Sequence, residues 1–108
     1  NGLALDESEG DRIAAAVGDA DIVFMRHHGV LVLAPTIAKA WDDLYYLERA
    51  CEAQRLAEST GRRLVPVPRD VAEATAQQMR HGGGRDSPKL HLDSIKRQLD
   101  RDAPEYRQ

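Results

Sequence analysis

Two short apolar runs set the pattern of the chain. Ile22-Val23-Phe24-Met25 and Val30-Leu31-Val32-Leu33 are separated only by Arg26-His27-His28-Gly29. Runs of this length, rich in Val, Ile, Leu and Phe, fit the pleated surface of a sheet, so strands are expected at about 21–26 and 30–34, joined as a hairpin with imidazoles at its corner. Downstream the period changes. Between Ile37 and Glu58 there is no Gly or Pro, and Ile37, Trp41, Leu44, Leu47 and Cys51 recur at steps of three and four. That spacing predicts one long helix of roughly six turns. Thr36 suits its N-cap, and Gly61 followed by Arg62 and Arg63 marks its far end, where positive charge complements the helix dipole.

The remaining elements are shorter. Asp6-Glu7-Ser8-Glu9 has the form of a capping box and predicts a helix over about 7–17, with Gly18 as its stop and Leu5, Ile13, Ala16 and Val17 on its inner side. Leu64-Val65-Pro66-Val67-Pro68 is held extended by its prolines. Asp70 with Glu73 forms a second capping box, predicting a helix through about Arg80. His81-Gly82-Gly83-Gly84-Arg85-Asp86 then breaks regular structure and is expected to be mobile. Ser87-Pro88 restarts a helix whose apolar face is Leu92, Ile95 and Leu99, ended by Pro104. No internal repeat is present. Residues 1–68 form the main unit, and 69–108 are a helical extension of the same domain.

Composition narrows the function classes. At 108 residues the chain fits one domain with a modest core, and 42% hydrophobic with 31% charged residues is the balance of a globular protein. A net charge of −3 supplies no basic face for nucleic acid. No stretch approaches the ~20 apolar residues of a spanning helix, so no membrane partner is expected. Cys51 is the only cysteine, which rules out an internal disulfide and points to a reducing, cytoplasmic setting. Its place in the apolar progression predicts a buried, inert thiol. The first residue is Asn1 rather than Met, from which a longer protein with an N-terminal portion ahead of this sequence is expected.

The candidate chemistry is concentrated in the histidines. Neutral imidazole is a common metal ligand, and a strand end is a rigid place to hold one. Gly29 lets the backbone turn sharply, leaving the neighbouring ring room to reach inward. His27, His28, His81 and His91 are the only imidazoles. A complete zinc site from this chain would need the distant pair folded back onto the hairpin, and a core or turn role for an isolated His is the plainer alternative. His81-Gly82-Gly83-Gly84 has the form of an oxyanion-hole loop, but the Gly-x-Ser-x-Gly elbow that such a loop serves is missing, which leaves a linker. Trp41, Tyr45 and Tyr46 are read as core and interface aromatics.

Taken together, Ala20-Asp21-Ile22-Val23-Phe24-Met25-Arg26-His27-His28-Gly29-Val30-Leu31-Val32, Thr36-Ile37-Ala38-Lys39-Ala40-Trp41 and Leu47-Glu48-Arg49-Ala50-Cys51-Glu52-Ala53-Gln54 resemble the class II aldolase/adducin family. That family leads a strand into an asparagine-histidine-glycine corner, a second strand and a long helix carrying a Glu. The likeness runs from about Leu5 to Leu64, and Leu99 to Arg107 also looks like the ending of some members. The resemblance implies an α/β fold of αβα layers, of which this chain would be the C-terminal half. It implies that His28 is one of three histidines binding a divalent metal, usually zinc, the other two and the catalytic carboxylate lying in an N-terminal half. His27 stands where the family has asparagine, and His27 and Gly29 are expected to support the ligand or to touch substrate.

What the resemblance implies for function is a metal-dependent lyase or isomerase acting on a small hydroxy-carbonyl compound, phosphorylated or not, through a metal-stabilised enediolate. Aldol cleavage, epimerisation, dehydration and decarboxylation share that anion. Homo-oligomers, often tetramers, are implied, with Trp41, Tyr45 and Tyr46 packing between subunits. No catalytic acid or base is assigned within this sequence, and the chain by itself is expected to be inactive. The alternatives are an adducin-like interaction or oligomerisation module without catalysis, and a small αβ domain that binds no metal.

Overall fold

The computed structural model describes residues 7–81 and 87–107, with the side chain of His81 left out of account. Along the chain run α1 (Glu7–Val17), β1 (Ile22–Met25), β2 (Gly29–Val32), α2 (Ile37–Ser59), α3 (Arg69–His81), α4 (Ser87–Asp102) and a closing 3-10 turn (Pro104–Arg107). The result is a helix-dominated arrangement around one antiparallel strand pair, compatible with an α/β fold of the class II aldolase type.

β1 and β2 pair in the register Ile22 with Val32, Val23 with Leu31, Phe24 with Val30 and Met25 with Gly29, and Leu33 N–H donates to Asp21 C=O beyond the last rung. The alternation of the pleat leaves Val23 and Met25 half-buried and Ile22 and Phe24 exposed. The corner differs from expectation. Gly29 belongs to the first rung of β2, and the turn is Arg26-His27-His28, closed by His28 N–H donating to Met25 C=O at 3.1 Å. The left-handed residue at the bend is His27, with φ of 66°, while Gly29 follows with φ of 138°. Asn, Asp and His are the side-chain-bearing residues most often found in the left-handed region, so position 27 selects from that short set.

α2 is the hub. Thr36 Oγ1 accepts from Lys39 N–H at 3.1 Å, the expected N-cap, and Lys39 pairs with Asp43 one turn on. β2 packs on one part of α2 and α4 on another. His91 of α4 fixes the second contact: its Nδ1–H donates to Asp42 Oδ1 at 2.7 Å, since an ionised carboxylate only accepts. The ring lies edge-on to Trp41, centroids 4.5 Å apart, and to Tyr45 at 4.8 Å. At the end of α4, Tyr106 Oη–H donates to Asp100 at 2.7 Å and Arg107 reaches the same carboxylate, folding the 3-10 turn back on the helix.

The helix boundaries match the periodicity, with local corrections. α3 begins at Arg69, so Asp70 lies in its first turn, and Glu73 pairs with Arg69 at 2.7 Å instead of closing a capping box. The expected cap at Asp6, the inward Leu5 and the glycine segment 82–86 fall outside the described residues. In α1, Val17 is buried and Ile13 half-buried, while Ala16 is exposed. Cys51 is exposed rather than buried, as are its neighbours in α2 from Glu48 to Leu56. Ile37, expected on the inner face, is 79% exposed. No described helix is long and apolar enough to cross a membrane.

Burial is sparse. Among the described residues Val17, still 9% exposed, is the one apolar residue that counts as buried. The accessible surface is 9538 Å², against about 6000 Å² for a compact chain of this mass. The radius of gyration, 17.5 Å, exceeds the ~13 Å of a compact 100-residue domain.

Three substitutions test this geometry through stability. His91→Ala removes a hydrogen bond and two edge-on ring contacts, and should lower unfolding free energy by about 2 kcal/mol in urea titrations while raising amide exchange along α4. Gly29→Ala meets no atom within 4 Å, so its cost is purely that of the backbone angle, about 1–3 kcal/mol. His27→Asn keeps a side chain tolerant of the left-handed region and should stay within ~0.5 kcal/mol of the parent.

Candidate functional site

The hairpin corner positions the candidate residues. A three-residue loop closed by the Met25–Gly29 rung leaves little freedom to residues 26–28, and places His27 and His28 side by side at the tip. Both rings are exposed, and among the described residues neither makes a side-chain hydrogen bond or ion pair. The expectation that His28 reaches inward is therefore not met within this chain. Its imidazole stands at a fixed backbone position with both nitrogens open to a partner.

Beside the corner lies an open groove of about 500 Å³, lined by Phe24, Met25, Arg26, Gly29, Val30 and Glu48. Its apolar lining comes from Phe24, Met25 and Val30. At its rim one guanidinium and one carboxylate come from different elements, Arg26 from the turn and Glu48 from α2. A mostly apolar concavity with few polar groups is the usual form of a small-molecule site. Gly29, a candidate from the sequence, lines it. Arg26 and Glu48 were not singled out by spacing, although Glu48 stands within the long-helix segment on which the family likeness rests.

The other imidazoles do not join the corner. His91 is engaged with Asp42 in the α2–α4 contact, 49 residues apart in sequence, and is framed by Trp41 and Tyr45. Trp41 and Tyr45, expected between subunits, thus pack at least partly inside the chain. The His91–Asp42 pair escaped sequence reading because nothing in periodicity links residues so far apart. Tyr46 is half exposed, and Arg49 lies over the Tyr45 ring at 5.8 Å while pairing with Glu52.

The fit to a metal can be stated from the donors. An exposed neutral imidazole suits a divalent ion such as zinc. Among the described residues, however, no three His, Cys, Asp or Glu side chains gather closely enough to hold one. His28 fits as a single ligand, and a complete coordination shell is not present in the described part of this chain.

Against this geometry the similarities to known proteins take on meaning. The profile of the class II aldolase and adducin N-terminal domain matches residues 3–55, which span the hairpin and most of α2. A Caulobacter vibrioides protein named for aldolase class 2 is 34% identical over 106 residues, 97% of this chain and 41% of its own length. A Pseudomonas aeruginosa protein with the same kind of name is 32% identical over 114 aligned positions, covering 99% of this chain and 42% of its own. A Streptomyces roseochromogenus protein named 4-hydroxy-3-prenylphenylpyruvate oxygenase/4-hydroxy-3-prenylbenzoate synthase is 33% identical over 79 residues, 72% of this chain and 28% of its own. The chain thus spans about two fifths of the length of the first two relatives. No solved structure matches it. The segment that carries the paired histidines is the segment the family profile recognises, and on these grounds the chain belongs to the class II aldolase and adducin family.

Proposed function

We propose that this chain forms part of a metal-dependent lyase or isomerase of the class II aldolase type, acting on a small hydroxy-carbonyl compound, and that His28 is one of the ligands of its divalent ion, zinc by preference. The observation that carries the reading is the His28 imidazole itself, held at a closed hairpin tip, without a partner among the described residues, within the stretch shared with the family. One imidazole cannot hold the ion alone, so the remaining ligands come from another part of the whole protein or from a second copy. A homo-oligomer fits that need.

The residues divide the work. His28 offers a neutral nitrogen lone pair to the ion. His27 contributes first through its backbone, whose left-handed turn sets where the next residue emerges, and its ring can hold a neighbouring ligand or a substrate oxygen. Gly29 closes the turn and lines the groove, so a side chain there would narrow it. Arg26 can hold a substrate carboxylate or phosphate, and Glu48 can accept a hydrogen bond from a hydroxyl. A divalent ion bound at His28 would supply electrostatic stabilisation of the negative charge that develops beside a carbonyl during C–C cleavage, epimerisation, dehydration or decarboxylation.

The apolar lining of the groove favours a substrate with a hydrocarbon or aryl portion over a bare phosphorylated sugar. The name of the Streptomyces relative, which specifies a prenylated aryl 2-oxo acid, supports that leaning. An adducin-like module without catalysis is the second reading, favoured by the large apolar surface left open. Metal content separates the two.

His28→Ala should lower bound metal at least tenfold, measured by elemental analysis of the purified whole protein against wild type, as expected for loss of a direct ligand. His27→Asn should retain the metal. Equal metal in wild type and His28→Ala would remove His28 from the site, and a wild type free of metal after loading with zinc would favour the non-catalytic module.

A further inference from the structure

The groove beside the hairpin corner carries two opposite charges. Among the described residues that line it, Arg26 of the turn and Glu48 of α2 are the charged ones, and Phe24, Met25 and Val30 supply apolar surface. Both charged side chains are exposed, and neither makes a hydrogen bond or an ion pair among the described residues. Arg26 precedes His28 by two positions, which keeps their Cα atoms within about 7 Å. One small molecule can therefore reach both the guanidinium and an ion held at His28. The groove, about 500 Å³, lies within the ~300–1,000 Å³ of small-molecule sites.

The charges decide which kind of acid group suits it. A single guanidinium meets a carboxylate through two parallel N–H···O bonds, matching it in shape and in charge. A phosphate ester carries about −1.5 to −2 charge at neutral pH and is ordinarily met by several cations, by a run of backbone N–H groups or by a helix N-terminus. The described lining offers one cation and one glycine, Gly29. Glu48 stands about three turns along α2 from Ile37, past the first turn in which the helix dipole favours an anion. Its carboxylate also offsets the charge of Arg26, so the lining sums to zero. A monoanion gains its bond to Arg26 against one modest repulsion, whereas a dianion meets Glu48 with twice the charge.

We propose, resting on the metal-dependent reaction read above, that the substrate is a monocarboxylic acid with an apolar body and not a phosphate ester: Arg26 binds the carboxylate, and Glu48 is a specificity-determining residue that excludes a second negative charge. The carboxylate of Glu48 can at the same time accept a hydrogen bond from a substrate hydroxyl.

Isothermal titration calorimetry of the purified whole protein tests this with three probes of similar apolar body: 4-phenylbutanoate, its neutral amide 4-phenylbutanamide, and 2-phenylethyl phosphate. Wild type should bind the carboxylate at least tenfold more tightly than either other probe. Arg26→Gln should bring the carboxylate down to the level of the amide, and Arg26→Lys, which keeps the charge but gives up the paired geometry, should weaken it about threefold. Glu48→Gln should bring the phosphate to within about threefold of the carboxylate. Circular dichroism checks that the variants fold, as expected for substitutions at exposed positions. A wild type that binds the phosphate as well as the carboxylate, or binds neither, would overturn the proposal, as would a carboxylate preference that survives Arg26→Gln or a phosphate no tighter in Glu48→Gln. The same titrations on His28→Ala separate the groove from the metal. A preference that persists there belongs to Arg26 and Glu48, and one that disappears belongs to the ion and overturns the proposal. The metal reading itself is judged by zinc content and can fail while the selectivity stands.

Discussion

One imidazole joins parts of the chain that local sequence cannot join. His91 and Asp42, 49 residues apart, meet at 2.7 Å, and the Trp41 and Tyr45 rings close around them. Take that contact away and α4 with its 3-10 turn loses a half-buried polar anchor to α2. The other ion pairs lie within single helices or between near neighbours, mostly in solvent, where such pairs contribute little. The architecture beyond the hairpin therefore rests on a polar bond sheltered by aromatic rings.

That single anchor must work against a shortage of burial. A chain that leaves Phe24, Ile37, Val65 and Met79 largely in water gains little of the apolar transfer energy that normally offsets chain entropy. The exposed residues are unevenly placed. The first half of α2 is covered by β2 and α4, while its second half, the proline connector and α3 present open apolar surface. The hairpin has the same character: among the described residues no further strand pairs with either of its edges, and its histidines are exposed. Site and surface thus both lie open on the described part of the chain.

Much of the local structure was legible from residue order. The apolar run 22–25, the six-turn period from Ile37, Thr36 as cap and the Ser87-Pro88 restart each depend on neighbours within a few positions, and each appears with nearly the expected bounds. What could not be read is what depends on contacts. Cys51 and Ile37 sit on the correct stripe of α2, but a stripe declares a preference for burial without showing whether anything arrives to bury it. The corner was placed one residue too late because glycine is the habitual left-handed residue, and here a histidine takes that role. The groove needed Glu48 of α2 to come beside Arg26 of the turn, which spacing along the chain cannot foretell. His28 was singled out by chemistry and family likeness together; its outward aspect was not foreseen.

The left-handed backbone at position 27 acts as a filter on heredity. Descendants of this sequence can write glycine, asparagine, aspartate or histidine there at little cost, so the letter at 27 is free to drift within a narrow alphabet set by steric fit rather than by chemistry. Position 28, whose backbone bears no such restriction, would by the same reasoning hold its letter only while its ring has an errand to perform.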